Sequence, residues 1–210
     1  MSRKQSIAVA AVVAIVAIAS GMLLARSILN PRGPVQLGLA QATLLEPARP
    51  LPAFSLVDQD NATFDDARLK NRWSLLFFGF THCPDVCPTT LGVLAQSEKS
   101  LADLPEAERP QIVLVSVDPK RDTPAQLASY VKFFSPSFTG VTGSQEDIDA
   151  FTRALGVPVA ISPLPNGDYT VDHSAAIFLV NPQGQLRALI SGPHTATVLA
   201  DDYRRIVEAG

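Results

Sequence analysis

Apolar and polar positions follow two different periods along this chain, and the switches between them mark its elements. Residues 74–80, Ser-Leu-Leu-Phe-Phe-Gly-Phe, form a nearly continuous apolar run, the pattern of a strand covered on both faces. Residues 111–118 repeat it with Ile112-Val113-Leu114-Val115, and residues 175–180 with Ile177-Phe178-Leu179-Val180. Between the first two runs the period lengthens: Leu91, Val93, Leu94 and Leu101 share one side of a helix predicted over 88–104, with Gln, Ser, Glu and Lys between them. Pro88 suits its first turn, where a missing N–H is harmless. Thr123-Pro124 opens a helix to about residue 134, with Thr as N-cap and Pro at the first position. Further helices are predicted from Ser144 to about 155 and from Thr195 to about 208. Residues 54–57 and 63–64 read as a short hairpin around Asp58-Gln59-Asp60-Asn61, and 138–141 as a short strand. A polar hairpin turns at Pro165-Asn166-Gly167-Asp168, and 175–180 pairs with 185–190 across Asn181-Pro182-Gln183-Gly184.

A buried strand, a cysteine pair opening a helix, a β-α-β unit and a terminal hairpin plus helix make the thioredoxin plan. With an added N-terminal hairpin and a longer insertion, the predicted fold is an enlarged thioredoxin-like α/β domain over residues 51–210. Ahead of it, residues 7–25 carry no charge and are mostly Ala, Val, Ile and Leu, close to the ~20 residues that a bilayer-spanning helix needs. Arg3 and Lys4 precede this run, so residues 1–29 are expected to form a cytoplasmic N-terminus and one transmembrane helix. The remainder would then lie on the periplasmic side of the inner (plasma) membrane. A cleaved signal peptide competes, because Ala17-Ile18-Ala19 before Ser20 resembles a cleavage site; both readings export the domain. Residues 30–50, with Pro31, Pro34, Pro47 and Pro50, read as a linker.

The net charge of −3 over 210 residues, with Lys and Arg scattered, points away from a nucleic-acid partner. The chemistry concentrates in its only two cysteines, Cys83 and Cys87, in His82-Cys83-Pro84-Asp85-Val86-Cys87-Pro88. At a helix start, i, i+4 spacing turns both sulfurs one way and sets them near the positive end of the helix dipole, which favours thiolates. Thiolates bind soft metals and attack disulfides. A structural staple is the bland alternative, but it would close too short a loop to stabilise much.

Two thiolates suit Cu(I), and a third ligand would raise affinity. His173, in Val171-Asp172-His173-Ser174 directly before an apolar strand, is the best candidate; its alternative is a histidine satisfied by Asp172 or backbone. No proline lies between Pro165 and Pro182, where ordinary thioredoxins carry a cis-proline. Three ligands are too few for structural zinc, whereas trigonal Cu(I) fits. Oxidised copper would need a fourth ligand, such as water, Asp85 or Asp118. His82 is expected to point elsewhere, and His194 to help begin the last helix. Residues 118–124 read as a well-formed helix start that could also serve as a docking rim.

Three separated motifs carry a resemblance: Phe78-Gly79-Phe80-Thr81-His82-Cys83-Pro84-Asp85-Val86-Cys87-Pro88, Val115-Ser116-Val117-Asp118-Pro119-Lys120-Arg121-Asp122-Thr123-Pro124 and Val171-Asp172-His173-Ser174. Through them the chain, from residue 51 onward, resembles the Sco/SenC family. These are membrane-tethered, thioredoxin-like copper proteins that help assemble the dinuclear copper centre of cytochrome c oxidase. The resemblance implies Cys83, Cys87 and His173 as copper ligands, for Cu(I) and in some states Cu(II). The implied partners are the copper-bearing oxidase subunit and an upstream copper donor or thiol reductant. It allows two roles, a copper chaperone and a thiol–disulfide oxidoreductase using a Cys83–Cys87 redox couple, without ranking them. A peroxidase-like activity is a third, weaker reading, for which the surroundings of Cys83 offer no support.

Overall fold

The computed structural model describes residues 37–165 and 167–209, with short helical pieces at 16–18 and 20–22. The chain divides into two units, Met1–Gln36 and Leu37–Gly210. The expected membrane anchor falls in the first unit and lies largely outside the described residues. Among the described residues no helix is long and apolar enough to cross a membrane. The second unit carries every strand found among the described residues, and the cysteine motif.

In chain order its strands are β1 (Ala42–Pro50), β2 (Ser55–Asp58), β3 (Thr63–Asp65), β4 (Ser74–Gly79), β5 (Gln111–Ser116), β6 (Thr139–Thr142), β7 (Val159–Pro163), β8 (Tyr169–His173), β9 (Ile177–Val180) and β10 (Gln185–Ile190). Its α-helices are α1 (Val86–Ser100), α2 (Pro124–Phe134), α3 (Gln145–Leu155) and α4 (Ala196–Glu208). One eight-stranded sheet has the order β1-β10-β9-β4-β5-β6-β2-β3, and β7 and β8 form a separate two-stranded sheet. β4 and β9 are neighbours buried at every position, which explains their unbroken apolar runs. β10 alternates buried with half-buried residues, as a strand covered mainly on one face does.

Local chemistry sets the helix ends. Thr123 caps α2 through a reciprocal bond pattern with Gln126, with Pro124 in the first turn. Ser144 and Thr195 cap α3 and α4 by accepting from the backbone N–H of Asp147 and Val198. The Ser97 hydroxyl, fully buried on α1, lies 2.9 Å from Val93 O of its own helix and 3.2 Å from Ala196 O in the first turn of α4, so one proton is shared between the two carbonyls.

The linker reading of residues 30–50 is corrected from residue 42 onward. β1 pairs antiparallel with β10. The buried Asp202 carboxylate accepts from the backbone N–H groups of Ala40, Gln41 and Ala42, each at 2.8 Å. Prolines are tolerated there because β1 is an edge strand, and the register breaks between Leu44 and Arg49, around Pro47.

Topology brings the three motifs to one edge. β4 and β5 run parallel, so their carboxyl ends lie together. β9 is antiparallel to β4 with Ile177 opposite Phe77, so the chain arriving from β8 reaches the sheet at that same end.

Candidate metal centre

The cysteine loop leaves β4 at Gly79 and enters α1 at Val86. Asp85 occupies the N-cap position without a side-chain capping bond. The Cys83 sulfur does that work, accepting the Cys87 backbone N–H at 3.3 Å. Cys83 is therefore held at the positive end of α1 and stays half-buried, while Cys87 is completely buried. The expectation that the helix start favours a thiolate at both positions fails at Cys87. Burial pushes that thiol well above the usual range, and its hydrogen bond with Cys83 adds to the rise. Both cysteines are free.

Gly79 leaves no room for a side chain: a Cβ would sit 3.0 Å from Cys87 Sγ, 3.1 Å from Leu114 Cδ1 and 3.2 Å from Phe77 Cε1. The Cys87 sulfur thus rests directly against the end of β4.

His173 ends β8, and its Nε2 lies 3.4 Å from Cys87 Sγ. Its Nδ1 is 2.9 Å from Ser174 O, an acceptor only, so Nδ1 carries the proton and Nε2 offers a lone pair toward the sulfurs. Burial lowers the imidazole pKa, which keeps the ring neutral at pH 7. The rings of Phe77 and Phe80 meet it edge-on at 6.2 Å and 5.9 Å. The ligand atoms of Cys83, Cys87 and His173 all lie within 4.8 Å of one another. Two sulfurs and one imidazole nitrogen, partly shielded from water and with the tautomer fixed, suit a soft monovalent ion of low coordination number.

The remaining candidates fall outside this cluster. His82 is half exposed, its Nδ1 3.1 Å from Thr81 Oγ1 and 3.8 Å from Asp122 Oδ1. His194 Nε2 donates to Ala175 O at 2.8 Å. Asp85 faces Thr89 on its own helix, and Asp118 is engaged by Arg121 and by the Tyr169 hydroxyl, the latter at 2.8 Å. Among the described residues, neither carboxylate joins the three-residue group as a fourth ligand.

Two supports are invisible in the sequence. Asp122, with no exposed surface, accepts from Thr81 N at 3.0 Å, Thr81 Oγ1 at 2.6 Å and Ser116 Oγ at 2.6 Å. It clamps the start of the cysteine loop to the end of β5. Arg121 anchors the β7–β8 hairpin: it pairs with Asp118, donates to Asp168 at 3.1 Å and to Tyr169 O at 3.0 Å, and stacks 3.8 Å over the Tyr169 ring. The segment 118–124 thus grips both the loop carrying the sulfurs and the hairpin carrying the imidazole. Its alternating charges were the available signal. They read only as a helix start and a docking rim because nothing local shows which of them is buried.

The SCO1/SenC family model matches residues 43–208. The chain belongs to the SCO1/SenC family. A putative copper-binding protein of Stutzerimonas stutzeri is 42% identical over 156 residues, 73% of this chain and 75% of that protein. The mitochondrial SCO2 homolog of Bos taurus is 40% identical over 157 residues, which cover 74% of this chain and 59% of the bovine protein. Arabidopsis thaliana ScoI with copper bound superposes with a TM-score of 0.72 at 33% identity, over 76% of this chain and 98% of the other. Yeast Sco1 with copper bound gives 0.71 at 29% identity, over 77% and 90% of the two chains. BsSco, described as a Sco-family cytochrome c oxidase assembly protein with a disulfide switch, gives 0.59 at 25% identity, over 78% and 96%. The predicted thioredoxin-like α/β architecture is therefore that of the Sco fold.

Proposed function

We propose that this Sco-family chain is a copper carrier acting in cytochrome c oxidase assembly. Cys83, Cys87 and His173 hold one copper ion as cargo, and the ion passes to a copper-bearing oxidase subunit by stepwise ligand exchange. The observation that carries the reading is the convergence of two sulfurs and a tautomerically fixed Nε2 within 4.8 Å. Similarity to Sco proteins solved with copper bound supports it. The half-buried Cys83 is the natural first point of contact for a recipient thiolate, with Cys87 releasing last. The domain would work on the extracytoplasmic side, tethered by the apolar segment 7–25.

A second reading has its own support, because Cys83 is also placed to attack a disulfide at the recipient's copper site. Attack would form a mixed disulfide with Cys83; Cys87 would then displace the recipient sulfur, leaving the recipient reduced and a Cys83–Cys87 disulfide here. A thiol reductant would have to reset the pair. Burial of Cys87 weighs against this route, since resolution needs a thiolate that burial disfavours, whereas an incoming metal displaces the proton itself.

An anaerobic Cu(I) competition titration of the reduced chain and of His173→Ala tests the proposal. One equivalent should bind, and the variant should lose orders of magnitude in affinity while keeping both thiols titratable. Equal affinity in the two proteins would remove the three-ligand site.

A further inference from the structure

The three ligands come from two separate sheets. Cys83 and Cys87 follow β4 of the eight-stranded sheet, whereas His173 ends β8 of the two-stranded one. The hairpin must therefore be fixed against the rest of the domain close to the imidazole. Arg121 fixes only the other end of β8: it holds Asp168 and Tyr169, and His173 lies four residues beyond Tyr169, about 13 Å away at the usual strand rise.

The near end is the turn 174–176, which leads from His173 into β9. On its α1 side this turn faces a hollow of about 570 Å³, lined also by Asp85, Val86, Thr89 and Thr90, so close packing against the cysteine helix does not locate it. Among the described residues the turn makes three hydrogen bonds that involve side chains. Two are local: Ser174 O accepts from His173 Nδ1 at 2.9 Å, and Ser174 Oγ accepts from Ala176 N at 3.2 Å. The third reaches another element, with His194 Nε2 donating to Ala175 O at 2.8 Å.

His194 is itself held on both sides. Gln41 grips the loop before it, with Gln41 Nε2 donating to Pro193 O and Ser191 N donating to Gln41 O at 3.2 Å. Thr195 follows it and caps α4. The other ring nitrogen, Nδ1, is buried without a hydrogen-bond partner among the described residues. Phenylalanine would fill the same space without stranding a polar atom. What imidazole adds is the Nε2–H bond, and that bond ends on the carbonyl next to the one that orients the His173 ring.

We propose that His194 is a positioning residue for the metal centre: by holding Ala175 O it fixes the turn that aims His173 Nε2 at the two sulfurs. The proposal rests on the copper-carrier reading.

His194→Phe and His194→Gln in the reduced full chain test it; glutamine keeps a terminal N–H donor, and phenylalanine keeps only the ring. Cu(I) affinity, read by competition with a chromophoric chelator, should fall about 10–100-fold in His194→Phe, the scale of a lost partner behind a metal ligand, and recover in large part in His194→Gln. In a His173→Ala background, His194→Phe should weaken binding no further, because the ring it positions is gone. Without metal, the ring-proton resonances of His173, set by Phe77 and Phe80 at 6.2 Å and 5.9 Å, should drift toward unfolded-chain values in His194→Phe and return in His194→Gln. The metal-free melting temperature should fall by no more than about 4 °C, the shift expected from one hydrogen bond in a domain of this size. Parent-like affinity in His194→Phe, equal losses in both variants, a loss that persists without His173, or a melting temperature lowered well beyond that bound would overturn the role of His194. A parent chain that takes up no copper, or binds it no better than His173→Ala, would overturn the copper reading on which the proposal rests.

Discussion

Replacing Asp122 by alanine should loosen the cysteine loop while leaving every proposed ligand in place. The carboxylate accepts three hydrogen bonds, from Thr81 N, Thr81 Oγ1 and Ser116 Oγ, and has no exposed surface. Hydrogen bonds to a carboxylate contribute about 1.5–3 kcal/mol each, so the three at the low end total about 4–5 kcal/mol. Thr81 is partly exposed, and water can replace some of what it loses; the fully buried Ser116 O–H loses its acceptor, while its oxygen still accepts from Asp118 N at 3.1 Å. The net expectation is a loss of about 3 kcal/mol, a large share of the ~5–15 kcal/mol typical of a domain. Asp122→Asn retains the shape and part of the network, and should cost about half as much. Urea unfolding of the reduced, metal-free proteins reads this directly: the midpoint should fall in the order parent, Asn, Ala at constant slope. Copper affinity should fall in the same order. An alanine variant within about 1 kcal/mol of the parent, or one equally stable with weakened copper binding, would refute the clamp as described.

Three further outcomes are expected from the same geometry. Gly79→Ala forces a Cβ to 3.0 Å from Cys87 Sγ and 3.1 Å from Leu114 Cδ1; it should destabilise by about 1–3 kcal/mol by overpacking and displace the sulfur, seen as a lower melting temperature together with weaker copper binding. Arg121→Ala frees the hairpin carrying His173 and leaves the sulfurs alone; copper affinity should drop 10–100-fold on the scale of a lost ligand support, while the thiol–disulfide equilibrium against glutathione stays put. Copper binding should tighten with pH, because burial raises the Cys87 thiol and the metal must displace its proton: about tenfold per pH unit for that proton alone from about pH 6.5 to 8. Burial holds His173 below its ordinary pKa, so protonation of the imidazole adds little competition over that range. A flat profile in a chelator-corrected titration would contradict the burial of Cys87.

The strands and helices that position the site were legible because each carries its own period or cap. The near-continuous apolar run of 74–80 is the pattern of a covered strand, and Thr123-Pro124 marks a helix start by its capping chemistry. Proximity of His173 to the sulfurs was legible from motif order, because a strand end is where this architecture returns to the cysteine helix. Three things were not. Residues 42–50 read as a linker because Pro47 and Pro50 suit a tether and an edge strand equally, and the pairing partner is β10, far along the chain at Gln185–Ile190. The Asp122 clamp depends on which of the charges in 118–122 turns inward, a choice made by Ser116 and Thr81 from other elements. Burial of Cys87 depends on Gly79, Leu114 and Phe77 converging on one sulfur, so the helix dipole was visible in advance and the desolvation that outweighs it was not.

X-ray absorption at the copper edge of the reduced chain loaded with one equivalent of Cu(I) tests the central claim most directly. The three-ligand site predicts two sulfur scatterers and one imidazole nitrogen, with the nitrogen contribution lost in His173→Ala. A spectrum of sulfur ligands alone, or one unchanged by that substitution, would contradict it.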